Sequence, residues 1–175
     1  MELFCGRGNG LNALEGLGFS HLEGVDLSPT LLAQYRGSAK CYVGDCRELP
    51  FRDASKHVLI VQGGLHHLPV LPADLERTFS EMRRVLRRDG QVVFVEPWLT
   101  PFLSMVHAIC RNSLARRVSA KIDALATMIE YEKSTYEQWL GSPDVVLELS
   151  STYFRPKFQS IAWGKWYFVG TPNGN

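Results

Sequence analysis

Three carboxylates, Glu2, Asp26 and Asp45, each stand at the end of a short apolar or mixed run, and the first leads into Cys5-Gly6-Arg7-Gly8-Asn9-Gly10. Glycines at alternate positions let a ligand approach the backbone, because no Cβ stands in the way. The helix start behind them, Leu11-Asn12-Ala13-Leu14, offers free N–H groups and a partial positive charge. That combination suits an anionic group on a nucleotide-like ligand; a strand-to-helix turn with no ligand is the competing reading. Asp26 lies 20 residues after Gly6, the offset at which a carboxylate accepts hydrogen bonds from ribose hydroxyls. Farther on, Gln62-Gly63-Gly64-Leu65-His66-His67 and Glu96-Pro97 follow apolar runs. His66, His67 and Glu96 are candidates for taking a proton from a hydroxyl acceptor. The alternative is one imidazole packed under the loop, the other facing solvent, and Glu96 capping a nearby helix.

Two nucleoside ligands compete for this set. A dinucleotide fingerprint requires G-x-G-x-x-G, whereas here Gly10 falls one position early and Leu11 stands where the third glycine belongs. Glu2 and Asp45 would also be awkward beside a pyrophosphate. A zwitterionic methionine moiety and an adenine amino group can use both acids, so the set favours S-adenosylmethionine over NAD.

The elements that must position these residues alternate between strand and helix. Leu11, Leu14 and Leu17 predict a first helix capped at Gly18, and Ser28-Pro29 predicts an N-cap and first turn for a second helix bearing Leu31, Leu32 and Tyr35 and stopping near Gly37. Lys40 to Val43 is a short strand. Val58 to Val61 is a continuous apolar run, expected to be buried on both faces. Pro72 to Arg88 is the clearest helix, with Leu75, Phe79, Met82, Val85 and Leu86 on one face and Asp89-Gly90 ending it. Its Arg83, Arg84, Arg87 and Arg88 read as an anion site or as a solvated basic helix end. Val92 to Val95 is the next buried strand. Thr100-Pro101 opens a helical stretch with Phe102, Val106 and Ile109 on one helix and Val118, Ile122, Leu125 and Ile129 on a second; Ser134 and Glu137 suggest a capping box for a third. Phe158 to Trp163 and Lys165 to Val169 form an antiparallel hairpin about Gly164. The fold class is therefore α/β: a Rossmann-like, doubly wound, mostly parallel sheet with an antiparallel C-terminal strand and a helical insert. Residues 1–175 make one domain, with 98–145 as the insert and a possible substrate lid.

Bulk properties narrow the function classes. A length of 175 residues fits one domain, and 45% hydrophobic with 21% charged residues excludes a disordered chain. The net charge of +1 offers no footprint for a polyanion, so nucleic acid is not an expected partner. No apolar run can span a bilayer. The four cysteines, Cys5, Cys41, Cys46 and Cys110, form no CxxC pair, which suits reduced thiols in a cytoplasmic protein; no metal site is expected.

Taken in order, these motifs resemble the class I S-adenosylmethionine-dependent methyltransferases, within them the broad small-molecule group often called type 11. The resemblance runs from Glu2 to about Pro97. It implies that Glu2, Gly6 and Gly8, within the Cys5-Gly6-Arg7-Gly8 loop, surround the methionine end of the cofactor. Asp26 and Leu27 match the ribose-binding segment, and Asp45 and Cys46, in Gly44-Asp45-Cys46-Arg47, match the adenine-binding one. Gln62 matches the loop after the fourth strand that borders the transferred methyl. The resemblance also implies a sheet order of 3-2-1-4-5-7-6 with the last strand antiparallel. Phe4 departs from the family at its first loop glycine, and His57 replaces an acid that commonly opens the fourth strand. The first strand begins at its own end, so a truncated start is expected, with upstream sequence supplying a run like V-L-D.

The implied activity is methyl transfer to a small-molecule acceptor. The sequence lacks the (D/N)PP(Y/F) and Pro-Cys patterns that mark base methylation. The insert, with Met105, Met128, Tyr131, Tyr136 and Trp139, suits a cover over an apolar small molecule. An NAD-dependent oxidoreductase and a non-catalytic adenosyl-binding module, or a fragment needing a partner, are the alternatives.

Overall fold

The computed structural model describes residues 1–174. Seven strands form one sheet: β1 (Glu2–Leu3), β2 (Glu23–Asp26), β3 (Lys40–Val43), β4 (Lys56–Gln62), β5 (Leu86–Pro97), β6 (Phe154–Ala162) and β7 (Lys165–Pro172). Their order is β3-β2-β1-β4-β5-β7-β6, the order that the resemblance implied. β1 to β5 run parallel, and β7 lies antiparallel between β5 and β6. The chain starts at β1, winds outward to β3 and returns to β4 on the opposite side of β1. The strand order therefore reverses between β1 and β4, which opens a crevice at the carboxyl ends of those strands.

One face of this sheet carries the core. Leu3, Val25, Leu59, Val61, Val92, Phe94 and Phe168 are buried there against Leu75, Phe79, Met82 and Val85 of α3 (Ala73–Val85) and Val146 of α8 (Pro143–Tyr153). Phe94 stacks between Phe79 and Phe168, with centroids 5.4 Å away on each side and interplanar angles of 9° and 12°. Each such ring, fully withdrawn from water, contributes about 2–3 kcal/mol of transfer free energy. The opposite face bears Glu2, Gly24, Ile60 and Val93 in register. There α1 (Asn9–Gly16) seats Leu11 on Gly24, where an added Cβ would come within 2.8 Å of the leucine methyl.

That second face corrects one expectation. Val58 is 38% exposed and Ile60 only half-buried, so the apolar run of β4 is covered on one side alone. The physical reason is helix reach, since α1 sits over Gly24 of β2, not over β4. Other boundaries also move. The second helix, α2, is limited to Pro29–Leu32, although Ser28 caps it as expected by accepting the Leu31 amide at 3.2 Å. The helix α3 stops at Val85, and Leu86 already pairs with Lys56 on β4. The next pair is Val58 with Gln91, so Arg87 to Gly90 bulge from β5 rather than extending the helix. Arg84 of the helix end is not a bare basic group: it is bound to Glu81 and Asp53 and to the carbonyls of Leu49 and Phe51.

Between β5 and β6 the chain forms α4 (Pro101–Arg111), α5 (Ser113–Val118), α6 (Ala120–Tyr131), α7 (Lys133–Leu140) and α8. Thr100 caps α4 through the Leu103 amide at 3.1 Å, as its sequence predicts. Val118 belongs to the end of α5, and Ser119 restarts the chain as the N-cap of α6. The expected capping box at Ser134 is absent, because the N-cap of α7 falls two residues earlier, at Glu132, with no side-chain cap. The C-terminal hairpin turns through Trp163 and Gly164, both at positive φ (52° and 76°), the geometry that matches strand twist in a two-residue turn.

Candidate functional site

At the strand-order reversal lies a cavity of about 460 Å³ lined by Phe4, Gly6, Asp26, Asp45, Gly63 and His67, among others. Its size lies within the range of roughly 300–1,000 Å³ typical of small-molecule sites. Gly6 has φ +52°, and a Cβ there would meet nothing within 4 Å, so its exposed backbone borders open space. The Gly6 amide donates to Asp26 Oδ2 at 2.7 Å, and the Ser28 amide donates to Asp26 Oδ1 at 2.8 Å. One carboxylate thus ties the glycine loop after β1 to the turn after β2. Leu27, 66% exposed, and Leu31 line the wall beside it.

The other expected cofactor residues have different surroundings. Gly8, at φ +77°, is buried because the Tyr35 ring occupies the space a side chain would need. Arg7 is exposed and outside the cavity lining, and Gln62 is exposed at the end of β4 while its neighbour Gly63 lines the cavity. Glu2 is 5% exposed and sits beneath the loop against Gly10 and the Leu11 amide, with Oε2 lacking any hydrogen-bond partner. Burial raises its carboxyl to about 7. Cys5 is buried against Gly24 and Cys41, and burial pushes its thiol up to about 12. Asp45 lines the cavity, but its carboxylate is held by Arg47 at 2.7 Å, which keeps its pKa low. Arg47 in turn reaches Asp74 of α3 at 2.9 Å. Cys46 lines the cavity beside Asp45, with its thiol directed at Thr78 Oγ1, 3.8 Å away.

The histidine pair forms the opposite rim. Leu65–His67 is a short 3-10 turn, and Glu96, fully buried, accepts the amides of Gly64 at 2.8 Å and Leu65 at 2.9 Å. Its second oxygen lies 2.9 Å from His66 Nδ1. His66 is buried under the loop, with its ring edge-on to Tyr136, whereas His67 faces the cavity. Burial first, and then the neighbouring His66, lower the His67 pKa. Glu96 therefore touches the loop and His66 but not the cavity, and it caps the 3-10 turn.

The helical insert supplies the remaining wall. Tyr131, 91% exposed, and Glu132 at the α6–α7 junction line the cavity. Met105 and Met128 are about half exposed, at 52% and 47%, while Tyr136 and Trp139 are buried. Trp139 Nε1 donates to the Pro97 carbonyl at 2.8 Å, which fastens α7 to the end of β5. A second cavity, of about 530 Å³, lies inside the insert among Leu99, Cys110, Ala126, Ile129, Tyr136 and Leu140. Glu132 lines the first cavity and Lys133 the second, so the α6–α7 junction stands between them.

Sequence reasoning missed Glu132, Pro69 and Leu68 as lining residues, and it treated Phe4 only as a departure. Phe4 lines the cavity at φ +56°, and its ring lies against Gly64, where an added Cβ would stand 2.5 Å from Cγ. The alternating glycines hinted at that position; nothing local marks Glu132.

Known proteins are similar to this chain in sequence and in fold. Residues 1–94 match the sequence profile of a family described as a methyltransferase domain. Over 98 residues the sequence is 26% identical to a ubiquinone/menaquinone biosynthesis C-methyltransferase of Citrifermentans bemidjiense, a match covering 49% of this chain and 40% of that protein. The match thus spans less than half the length of this curated relative. A solved structure from Pyrococcus horikoshii superposes with a TM-score of 0.68 at 19% identity, covering 98% of this chain and 80% of that one. The geranyl diphosphate C-methyltransferase of Streptomyces coelicolor, solved with Mg2+, geranyl diphosphate and S-adenosyl-L-homocysteine, superposes with a TM-score of 0.63 at 14% identity, covering 98% and 70%. At these identities the two structures bear on the fold alone.

Proposed function

The chain belongs to the methyltransferase-domain family, and from that premise we propose that it is an S-adenosylmethionine-dependent methyltransferase acting on a small molecule. The observation that carries this reading is the Gly6–Asp26 hydrogen bond at the wall of the cavity. It leaves the open side of a glycine and a ribose-accepting acid side by side where the strand order reverses. The residues present fit the cofactor. Asp26 would accept from the ribose, Leu27 and Leu31 would flank the base with the Asp45-Cys46 segment, and Gly6 and Gly63 would allow the methionine portion close to the backbone.

Bound S-adenosylmethionine supplies an electrophilic methyl group on a sulfonium. What the protein adds is placement and exclusion of water. Phe4, Leu68, Pro69 and Tyr131 give the rim apolar surface, and His67 faces the same space with a lowered pKa. A neutral imidazole there can take a proton from an acceptor hydroxyl. His66 and Glu96 are assigned positioning roles, because Glu96 holds both the Leu65–His67 turn and the His66 ring. Support for a small-molecule acceptor comes from the name of the quinone-biosynthesis relative. No helix among the described residues is long and apolar enough to cross a membrane, and a cytoplasmic setting remains part of the proposal.

Calorimetry with S-adenosylhomocysteine and with NAD on this chain tests the reading. Saturable binding of the first alone is expected. NAD binding in its place would favour the oxidoreductase class, and binding without methylation of a broad acceptor panel would favour a non-catalytic module.

A further inference from the structure

We propose that His66, His67 and Glu132 hold a divalent transition-metal ion at the rim of the cavity. His66 Nε2 lies 3.6 Å from Glu132 Oε2, His67 Nδ1 lies 4.0 Å from the same oxygen, and the three donor atoms all fall within 4.8 Å of one another. Ligands about 2.0–2.2 Å from one ion stand roughly 3–4 Å apart in tetrahedral geometry. Small side-chain movements therefore suffice to close the set.

Glu96 gives a second, independent reason. Its Oε1 accepts two backbone amides, and its Oε2 is 2.9 Å from His66 Nδ1. With Nδ1 facing Glu96, the Nε2 edge of the His66 ring is the one turned toward Glu132 Oε2. A buried carboxylate behind a histidine is also the arrangement that orients imidazole ligands and raises their basicity at metal sites.

Two imidazoles with one carboxylate select zinc, cobalt, iron or manganese ahead of magnesium or calcium, which prefer oxygen alone. Three protein ligands leave a coordination position open. Since His67 and Glu132 line the cavity, that position faces the ligand space, and the acceptor class it fits is a small molecule with an oxygen donor such as a hydroxyl or enol. An acceptor hydroxyl held there is more acidic than in water, so with the ion bound its proton passes to solvent, and His67 serves as a ligand in place of the base role it has in the metal-free site. This substrate class rests on the methyl-transfer reading; ion binding itself does not.

The test is titration of the full chain, dialysed free of metal, with Co2+, followed by calorimetry and by visible d–d absorption. One ion per chain is expected, with affinity lowered about tenfold or more in His67→Ala and in Glu132→Gln, and unchanged in Cys41→Ser. Circular dichroism of each variant separates lost binding from lost folding, and Glu132→Gln, at a helix junction, is the gentler substitution. Absence of saturable Co2+ binding to the folded chain overturns the proposal, as does binding that both variants leave intact. S-adenosylhomocysteine calorimetry in the presence of a chelator reports on the methyl-transfer reading separately.

Discussion

Asp26 and Gly6 are joined by a 2.7 Å hydrogen bond from the loop amide to the carboxylate, while the carboxylate's other oxygen holds Ser28. The residue whose position suits ribose recognition is thus also the clamp on the glycine loop. Asp26→Ala should therefore weaken both properties. Two amides lose a charged acceptor, which corresponds to about 2 kcal/mol of stability at a partly exposed site, seen as a lower urea midpoint with an unchanged slope. S-adenosylhomocysteine affinity should fall in the same variant, while Asp26→Asn, which keeps one acceptor oxygen, falls between. An Asp26→Ala chain with wild-type stability would remove the clamp from the account.

Phe4 and Gly64 are a steric pair. Gly64 has ordinary negative φ (−126°), so alanine there is conformationally permitted, but its Cβ would stand 2.5 Å from Phe4 Cγ. Gly64→Ala should cost about 1–3 kcal/mol by overpacking. Phe4→Gly frees that space and also suits the positive φ of 56°. The double variant should be more stable than the sum of the single effects predicts, with a coupling of about 1 kcal/mol or more. Strict additivity in denaturant unfolding would show that the two do not touch.

Glu96 serves three donors, the amides of Gly64 and Leu65 and the His66 ring. Glu96→Ala strands them in a buried pocket, and a loss of about 3 kcal/mol or more is expected. Glu96→Gln keeps one acceptor oxygen and should recover part of it. Thermal unfolding of the two variants, compared in one buffer, gives the difference.

Glu2 makes stability depend on pH in the less usual direction. Burial raises its folded pKa from 4.5 to about 7, so the folded chain holds a proton that the unfolded chain has released. The stabilising contribution is fully present below 4.5, declines through the interval between 4.5 and 7, and is gone above 7. Glu2→Gln should abolish that decline and be the more stable protein on the alkaline side. Urea midpoints measured across the interval decide it; parallel curves for the two proteins would contradict the assignment.

Much of the frame was legible from the chain. The β-α alternation, the glycine loop, Asp26 and the Trp163-Gly164 turn rest on local rules of periodicity, capping and φ preference, and the structure has each in place. Burial of β4 on two faces was misread because an apolar run reports only that a strand is interior to the sheet, not how far the helices reach. Arg87 and Arg88 continue the helical pattern of α3, but pairing of Leu86 with Lys56 draws them into the sheet, a tertiary contact that outweighs propensity. Asp45 reads from the sequence as a cofactor acid, and only the folded chain shows Arg47 held between it and Asp74. Glu132 left no local trace, since its meaning comes from His66 and His67, which are distant in sequence and adjacent in space.

The position of β7 has a consequence for synthesis. It follows β6 in the chain yet lies inside it, between β5 and β6. As the polypeptide leaves the ribosome, β6 emerges first and has no docking partner on the growing sheet. Its unpaired backbone and the hydrophobic edge of β5 must wait until Lys165–Pro172 have cleared the exit tunnel. The slowest-waiting surface is then the row around Phe94, and a chaperone that shields aromatic strands would be most useful in that interval.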